Sequence, residues 1–219
     1  MKISLFAKLD KPYLKEIITF LKSSNAQLSI YTGSINDGFP KKAYKENPDI
    51  LISFLSPWII PKSVLVRTRI ANINFHPGPP EYPGIGCFNF AIYNDEKRYG
   101  VTAHIMKEKV DTGAIIGIKM FPLLKNDSVY SLSLKSYKHL RDLFYKTIGF
   151  ILKNNSLPNT ITSWKRKPFL RKELEDLCLI NYKMSKKEIE KRIRATVYPN
   201  MPGAYIKLAG YKFEYAQNR

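Results

Sequence analysis

An amide and an imidazole stand two residues apart in this 219-residue chain, where an apolar segment meets a turn. A strand is predicted over residues 69–75, so Asn74 and His76 lie at its end and point to the same side. A neutral imidazole can take up a proton near neutral pH, and a side-chain amide can donate a hydrogen bond to a developing oxyanion. The pair suits acyl transfer, in which an amine attacks a carbonyl carbon. A structural histidine beside a turn explains it equally well.

Asp111 is the residue best suited to orient that imidazole. It lies in the Val-Asp-Thr-Gly turn at 110–113, which joins strands predicted over residues 100–106 and 113–121. His104 precedes it on the first of these strands. Taken alone, an aspartate before Thr-Gly is more often an ordinary turn residue than a catalytic one.

The elements that must position these side chains alternate between strands and helices. Strands are predicted over residues 2–7, 27–31, 49–55 and 69–75. A helix follows the first strand, with Asp10 expected to cap it and Pro12 in its first turn. This alternation predicts an α/β fold with an open, mostly parallel, Rossmann-like sheet and helices on both faces. Such sheets bind ligands beyond the carboxyl ends of their strands, which is where Asn74 and His76 lie.

A long amphipathic helix is predicted over residues 129–152, and we place a catalytic domain at 1–155 and a C-terminal extension at 156–219. In the extension, a capping box at Ser185 starts a short helix, and the pattern at 203–215 predicts a β-hairpin. One face of that hairpin carries three aromatic side chains: Tyr211, Phe213 and Tyr215. Because an isolated hairpin is marginally stable in water, this face should pack on the core or on a second subunit.

The charge balance is strongly basic, with 36 Lys and Arg residues against 18 Asp and Glu residues and a net charge of +18. Such a surface attracts phosphates, in RNA or in a small substrate, but lysines scattered over a solvated surface are at least as good an explanation. Cys87 and Cys178 form no metal or redox motif, and the three histidines lack metal-ligand spacing, so we expect no metal. No signal peptide or membrane span is expected, which makes the cytoplasm the default location.

Three sequence features follow one another in a specific order. Asn-x-His at 74–76 precedes a Pro/Gly-rich loop, and Gly-Val-Thr-Ala-His at 100–104 precedes Asp-Thr-Gly-Ala-Ile-Ile at 111–116. This ordered set resembles the folate-dependent formyltransferase family over residues 49–122. The resemblance implies that N10-formyltetrahydrofolate is the formyl donor and that the catalytic triad is Asn74, His76 and Asp111. It also implies a set of folate-binding residues: Leu55, Ser56, Pro57, Trp58, Ile59, Ile60, His104, Lys107 and Val110.

Three branches of this family differ in the acceptor of the formyl group. The purine-pathway branch is least similar, because this chain has no glycine-rich phosphate loop after its first strand. The methionyl-tRNA branch resembles residues 192–196 and 201–205, but it continues into a barrel domain, whereas we expect this chain to end after one hairpin. The sugar-nucleotide branch is most similar, both in the loop at 74–86 and in the short hairpin, which often makes a dimer contact in that branch.

The resemblance therefore predicts a sugar-nucleotide N-formyltransferase that forms a homodimer through the hairpin. The expected acceptor is a dTDP-linked amino dideoxysugar, and the expected setting is surface polysaccharide biosynthesis. Lys8 would meet a pyrophosphate as a point charge. The expected acceptor-binding residues are Lys8, Pro79, Glu81, Tyr82, Trp164, Arg166, Arg194 and Tyr198. For each of them, a structural role as a solvated side chain or a packing residue is an alternative explanation.

Two other functions stay open at this point. One is an enzyme like methionyl-tRNA formyltransferase, and the other is a non-catalytic, basic RNA-binding protein on the same scaffold. We do not expect a membrane partner. A nucleic acid is not the expected partner either, because a tRNA needs a broad footprint of phosphate contacts and little chain remains to supply it.

Overall fold

The computed structural model describes residues 1–216, which contain nine strands, six α-helices and a 3-10 helix at Lys41–Lys45. The strands are β1 Lys2–Lys8, β2 Gln27–Gly33, β3 Ile50–Phe54, β4 Ala71–His76, β5 Arg98–Ile105, β6 Ile115–Pro122, β7 Leu179–Ile180, β8 Tyr205–Leu208 and β9 Tyr211–Glu214. The helices are α1 Leu14–Lys22, α2 Lys62–Leu65, α3 Cys87–Tyr93, α4 Val129–Asn154, α5 Arg171–Cys178 and α6 Lys186–Thr196.

Six of the strands form one sheet in the order β2-β1-β3-β4-β5-β6. The first four strands are parallel, and β5 and β6 are added antiparallel at one edge. The parallel part depends on crossover connections, such as the one through α1 between β1 and β2. The predicted α/β class with an open, mostly parallel sheet is confirmed.

Both faces of the sheet are covered, as the continuous apolar run of β3 predicted. All five residues of β3 are buried. On one face α1 and α4 cover the sheet, and the ring of Phe144 from α4 lies 4.8 Å from that of Phe75 on β4. On the other face Phe6 and Leu51 pack with Val64 of α2 in a separate apolar cluster. This burial holds the strand ends rigidly, so side chains at those ends have defined positions.

The start of α1 differs from the prediction. The helix begins at Leu14, and Asp10 does not cap it. Asp10 and Tyr13 both adopt left-handed backbone conformations, with φ of 63° and 68°, so the chain turns twice before the helix starts. Pro12 therefore precedes the first helical turn rather than lying in it.

The C-terminal residues share the core of the sheet domain. Phe169, Leu177 and Ala195 belong to the same buried cluster as the sheet and α4. The ring of Phe169 stacks on that of Phe90 from α3 with centroids 3.8 Å apart. The proposed boundary at 155 coincides with the end of α4, but the chain beyond it completes the same core.

The predicted hairpin is present, and it turns at Ala209 and Gly210. Strand β7 pairs with β8 and makes a three-stranded sheet that the sequence analysis did not predict. The aromatic side chains of the hairpin do not pack on the core, because Tyr211, Phe213 and Tyr215 are 71%, 55% and 48% exposed. Of the two expected partners for this face, the core of the same chain is excluded. Among residues 1–216, no helix combines the length and the apolar composition that crossing a membrane requires.

Candidate active site

The predicted triad lies at the carboxyl end of the sheet, around one cavity. Asn74 and His76 come from the last three residues of β4, and Asp111 comes from the turn between β5 and β6. All three line a cavity of about 390 Å³. His76 and Asp111 are only 5% and 4% exposed, so their interactions are largely screened from bulk water.

Two imidazoles flank the carboxylate of Asp111. Oδ2 of Asp111 is 3.2 Å from Nδ1 of His76, and Oδ1 is 3.1 Å from Nε2 of His104. The backbone N–H of Gly84 also donates to Oδ2 at 2.7 Å. Burial alone would raise the pKa of Asp111, but the charge of His76, the hydrogen bond and charge of His104 and the Gly84 amide outweigh it. The pKa of Asp111 therefore lies well below its ordinary value, and the group is a carboxylate at neutral pH.

His104 also contacts the predicted oxyanion donor. Its Nε2 lies 3.0 Å from Nδ2 of Asn74, its direct partner in the antiparallel pairing of β4 with β5. The family resemblance implied that His104 is a folate-binding residue. In the structure it lines the cavity and also links Asn74 to Asp111. Only the register of β4 and β5 creates that link, so no local sequence pattern could have revealed it.

The Pro/Gly-rich loop after β4 fixes the other side of the His76 ring. Nε2 of His76 donates to the backbone carbonyl of Tyr82 at 2.9 Å. A Cβ atom at Gly78 would lie 2.6 Å from that same Nε2, so only glycine lets the loop fold back against the imidazole. The loop thus orients His76 through Tyr82 and Asp111 through Gly84.

The turn that carries Asp111 is tightly constrained. Asp111 has a φ of 48°, a left-handed conformation that non-glycine residues adopt at a cost. A Cβ atom at Gly113 would lie 1.8 Å from the carbonyl oxygen of Ile105, which leaves room only for glycine. Leu55, at the end of β3, is also left-handed with a φ of 50° and lines the same cavity. Two residues with strained backbone, Leu55 and Asp111, therefore line the candidate site.

All nine predicted folate-binding residues line the same cavity as the triad: Leu55, Ser56, Pro57, Trp58, Ile59, Ile60, His104, Lys107 and Val110. Trp58 is held from behind, because its indole N–H donates to the carbonyl of Asp37 at 2.8 Å and its ring packs edge-on against Phe6. Ile59 is exposed at the rim. The apolar side chains make a slot that can accept a flat ring system.

A second cavity of about 550 Å³ lies beyond the end of β1. Of the predicted acceptor-binding residues, Lys8 and Tyr198 line it. Lys11 lines both cavities, so the two adjoin at this side chain. Further lining residues come from separate elements and were not predicted from the sequence, including Lys11, Phe88, Tyr137, Arg171, Tyr205 and Lys212.

The other predicted acceptor-binding residues line neither cavity: Pro79, Glu81, Tyr82, Trp164, Arg166 and Arg194. Arg166 pairs with Glu173 at 2.8 Å, and Arg194 pairs with Asp95 at 3.0 Å. The hydroxyl of Tyr82 donates to Glu96 at 2.6 Å. The indole of Trp164 packs against the rings of His76 and His104. Within residues 1–216, no group of three or more His, Cys, Asp or Glu side chains is arranged to hold a metal ion.

Replacement of Asp111 by asparagine tests the charged state of this cluster through stability. Because the pKa of Asp111 is lowered by folding, its charge stabilises the fold above the unfolded-state value of about 3.9, and this contribution is lost as the pH falls through the folded-state value. Urea titrations of wild type and Asp111→Asn from pH 7 down to about pH 1.5 should give unfolding free energies that differ by about 3 kcal/mol near neutrality and converge only in strong acid, well below the unfolded-state value of about 3.9.

The matched control is Asp10→Asn, which makes the same change at an exposed residue that is also left-handed, with a φ of 63°. It should leave the unfolding free energy close to the wild-type value. An Asp111→Asn effect of equal size at acidic and neutral pH would contradict the buried, ionised carboxylate.

Comparison with known proteins gives two curated relatives of different activity. The chain is 29% identical over 171 residues to a methionyl-tRNA formyltransferase from Lactobacillus johnsonii, covering 78% of this chain and 54% of that protein. It is 27% identical over 165 residues to a GDP-perosamine N-formyltransferase from Brucella melitensis, covering 75% of this chain and 62% of that protein. Across eight such relatives, the chain spans 25% to 62% of their length.

Solved structures match nearly the whole chain in fold. A sugar N-formyltransferase from a Shewanella species superposes with a TM-score of 0.80 at 18% identity, covering 99% of this chain and 97% of that chain. An N-formyltransferase from Helicobacter canadensis, solved with folinic acid and dTDP-3-aminofucose, superposes with a TM-score of 0.69 at 20% identity, covering 95% and 84%. At these identities the likeness establishes the fold.

The remaining comparison concerns the family. A family model described as formyl transferase matches residues 18–147, which is more than half of the chain and includes Asn74, His76 and Asp111. This match confirms the resemblance that the ordered motifs indicated: the chain belongs to the folate-dependent formyltransferase family.

Proposed function

We propose that this chain is an enzyme that transfers a formyl group from N10-formyltetrahydrofolate to the amino group of a nucleotide-linked amino sugar. The observation that carries the proposal is the convergence of Asn74, His76 and Asp111 on one cavity that adjoins a second, cation-lined cavity. A dTDP-linked amino dideoxysugar is the first acceptor to test. The cytoplasm and surface polysaccharide biosynthesis are the location and setting that follow from these substrates.

The folate would occupy the cavity that contains the triad. Its size, about 390 Å³, falls in the range of small-molecule sites, which are mostly apolar with a few placed polar groups. Leu55, Trp58 and Ile60 supply apolar walls for a flat ring, and Asn74 and His76 supply polar groups at one end. The Helicobacter canadensis relative was solved with folinic acid, which supports a folate-type donor.

The side chains of the triad suit each step of formyl transfer. The neutral amine of the acceptor attacks the formyl carbon, and the carbonyl electron pair moves to oxygen. The amide of Asn74 donates a hydrogen bond to that oxyanion. Nδ1 of His76, the ring nitrogen that does not donate to Tyr82, takes the amine proton, and His76 returns a proton to N10 of the folate as the carbon–nitrogen bond to N10 breaks. Asp111, ionised because its pKa lies well below the ordinary value, stabilises the imidazolium that forms in between.

The second cavity suits a nucleotide-linked sugar. Lys8, Lys11, Arg171 and Lys212 provide positive charge for a pyrophosphate, and aromatic rings such as Tyr198 provide surfaces for a base or a sugar. Burial and the neighbouring charge of Lys8 lower the pKa of Lys11, and an anionic ligand between the two lysines would offset both effects. Because Lys11 lines both cavities, an amine on the sugar could reach the triad while the phosphates stay in the second cavity.

Methionyl-tRNA is the second acceptor to consider. The Lactobacillus johnsonii relative of that name is 29% identical to this chain, slightly more than the sugar-specific relative from Brucella melitensis at 27%. In favour of the sugar, the Shewanella sugar N-formyltransferase has the fold of this chain over 97% of its own length. A direct assay with both acceptor classes separates the two.

His76→Ala should reduce formyl transfer by about 100- to 10,000-fold, the contribution of a positioned general base. The assay incubates the protein and N10-formyltetrahydrofolate with amino-sugar nucleotides carrying dTDP, UDP or GDP, and with methionyl-tRNA. Mass spectrometry then follows the gain of about 28 daltons expected when acyl transfer replaces N–H by N–CHO.

His139→Asn is the matched control, because His139 lies on α4, stacked on Phe121 and outside both cavity linings. It should retain wild-type turnover. Near wild-type turnover of His76→Ala would remove the role given to His76. Tight RNA binding without transfer to any acceptor would instead favour a non-catalytic RNA-binding protein.

Lys8→Met should raise the KM for the nucleotide sugar about tenfold, as expected from the loss of one charged hydrogen bond of about 1.5 kcal/mol. The KM for the folate should stay within about twofold of the wild-type value, because Lys8 lines only the second cavity and not the cavity that contains the triad. Steady-state kinetics with each substrate varied in turn gives both constants. Lys15→Met, at an exposed position of α1, is the control and should change neither. An equal rise in both KM values would argue against an acceptor site at Lys8.

We also propose that the aromatic face of the hairpin contacts a second copy of this chain. Tyr211 and Phe213 are 71% and 55% exposed on β9, although their types are those that proteins usually bury. Light scattering coupled to gel filtration should show a dimer for wild type and a monomer for Phe213→Ser. Phe150→Ser, which removes a half-exposed ring from α4, should remain dimeric. A wild-type monomer at micromolar concentration would rule out this interface.

A further inference from the structure

A strap formed by residues 161–169 crosses from β6 to the loop after β4, beside the cluster that His104 forms with Asn74, His76 and Asp111. At its start, the backbone N–H of Ile161 donates to the carbonyl of Ile115 on β6 at 3.0 Å. At its end, the N–H of Phe169 donates to the carbonyl of Pro83 at 2.9 Å, in the loop after β4. Between these anchors, the N–H of Lys165 donates to the carbonyl of Pro80 at 3.0 Å. The strap therefore ties the strand after the Asp111 turn to the loop that orients His76.

The side chain of Trp164 leaves this strap and contacts both histidines. The indole lies edge-to-face with His104 at 5.0 Å between ring centroids and with His76 at 5.6 Å. Its Nε1 donates to the carbonyl of Gly113 at 2.9 Å. Gly113 closes the turn in which Asp111 has its left-handed conformation. One side chain thus contacts both histidines and the turn that carries Asp111, without lining either cavity.

We propose that Trp164 is a positioning residue for proton transfer: its ring limits the rotation of both imidazoles, and its N–H pins the turn of Asp111. The proposal rests on the proposed formyl transfer. A strained turn persists only where its surroundings over-determine it, and the hydrogen bond to Gly113 is one of those restraints. A shift of about 1 Å in a catalytic group can cost about 100-fold in rate, so a loosened cluster should lower turnover rather than binding.

Trp164→Ala should lower kcat by about 10- to 100-fold and leave the KM of both substrates within about twofold. Trp164→Phe keeps an aromatic ring against the histidines but loses the N–H to Gly113, so its kcat should lie between those of wild type and Trp164→Ala. Tyr182→Ala, at a side chain that is 85% exposed, is the control and should match wild type.

Two kinetic outcomes would overturn the proposal. One is a kcat for Trp164→Ala equal to that of the Tyr182→Ala control. The other is a raised KM for the acceptor with kcat unchanged, which would make Trp164 an acceptor-binding residue instead.

Fluorescence at one fixed pH tests the contact without any formyl transfer. The chain has two tryptophans, so Trp58→Phe leaves Trp164 as the sole reporter. The groups packed against an indole set its emission, so His76→Asn and His104→Asn in this background should each change the emission intensity of Trp164, whereas Tyr182→Ala should not. Emission that is the same in both histidine variants and in their parent would overturn the proposal. The absence of transfer to every acceptor would instead count against the proposed function, and the fluorescence would still report on Trp164.

Discussion

A carboxylate held between two imidazoles in a nearly dry site is the interaction on which this structure depends. Moving an ion out of water costs several kcal/mol, and the cost is offset only when partners with good geometry surround it. Asp111 has such partners in His76, His104 and the backbone N–H of Gly84. Each comes from a different part of the chain, so β4, β5 and the loop after β4 must all be in place before the carboxylate is stable.

That requirement explains why the backbone around Asp111 and His76 allows these side chains so few alternative positions. Gly78 and Gly113 stand where a Cβ atom would collide with His76 or with the carbonyl of Ile105. The register of β5 against β6 shifts between Ala103 and His104, beside the residue that links Asn74 to Asp111. The buried sheet beneath, covered on both faces, gives these restraints a rigid base. Rigidity of this kind suits a reaction in which a proton must pass between groups at fixed distances.

The charges of the molecule divide into two groups with different surroundings. Arg166 and Arg194, which the resemblance linked to the acceptor, are held in ion pairs with Glu173 and Asp95. The four cations around the second cavity come together from three regions of the chain: Lys8 and Lys11, Arg171, and Lys212. A net charge of +18 therefore does not by itself indicate which ligand the protein binds. The position of these four side chains around the second cavity, which adjoins the triad cavity, supports an anionic acceptor.

The sequence by itself determined the sheet and the helices that cover it, and it predicted the three residues of the triad that the structure brings to one cavity. Strand β3 was recognisable because residues buried on both faces must all be apolar. Asn74 and His76 were recognisable because residues two apart in a strand point the same way and the turn at Pro77-Gly78 fixes where the strand ends. The order of the motifs then added Asp111. The inferences about β3, Asn74 and His76 use neighbours in the chain, where local geometry is set by the residues themselves, whereas Asp111 was implied by the resemblance to the formyltransferase family.

Only the tertiary structure decided which distant side chains meet. The link from Asn74 through His104 to Asp111 requires one strand register, and the contact of Trp164 with both histidines requires a strap from beyond α4. The predicted start of α1 was wrong because two residues with left-handed backbone, Asp10 and Tyr13, precede the helix. The types of these two residues do not by themselves predict that conformation. The lining of the second cavity likewise joins residues far apart in the chain. Contacts of this kind depend on how whole helices, strands and loops pack together. The pattern of residues within one such element does not indicate which other elements will lie against it.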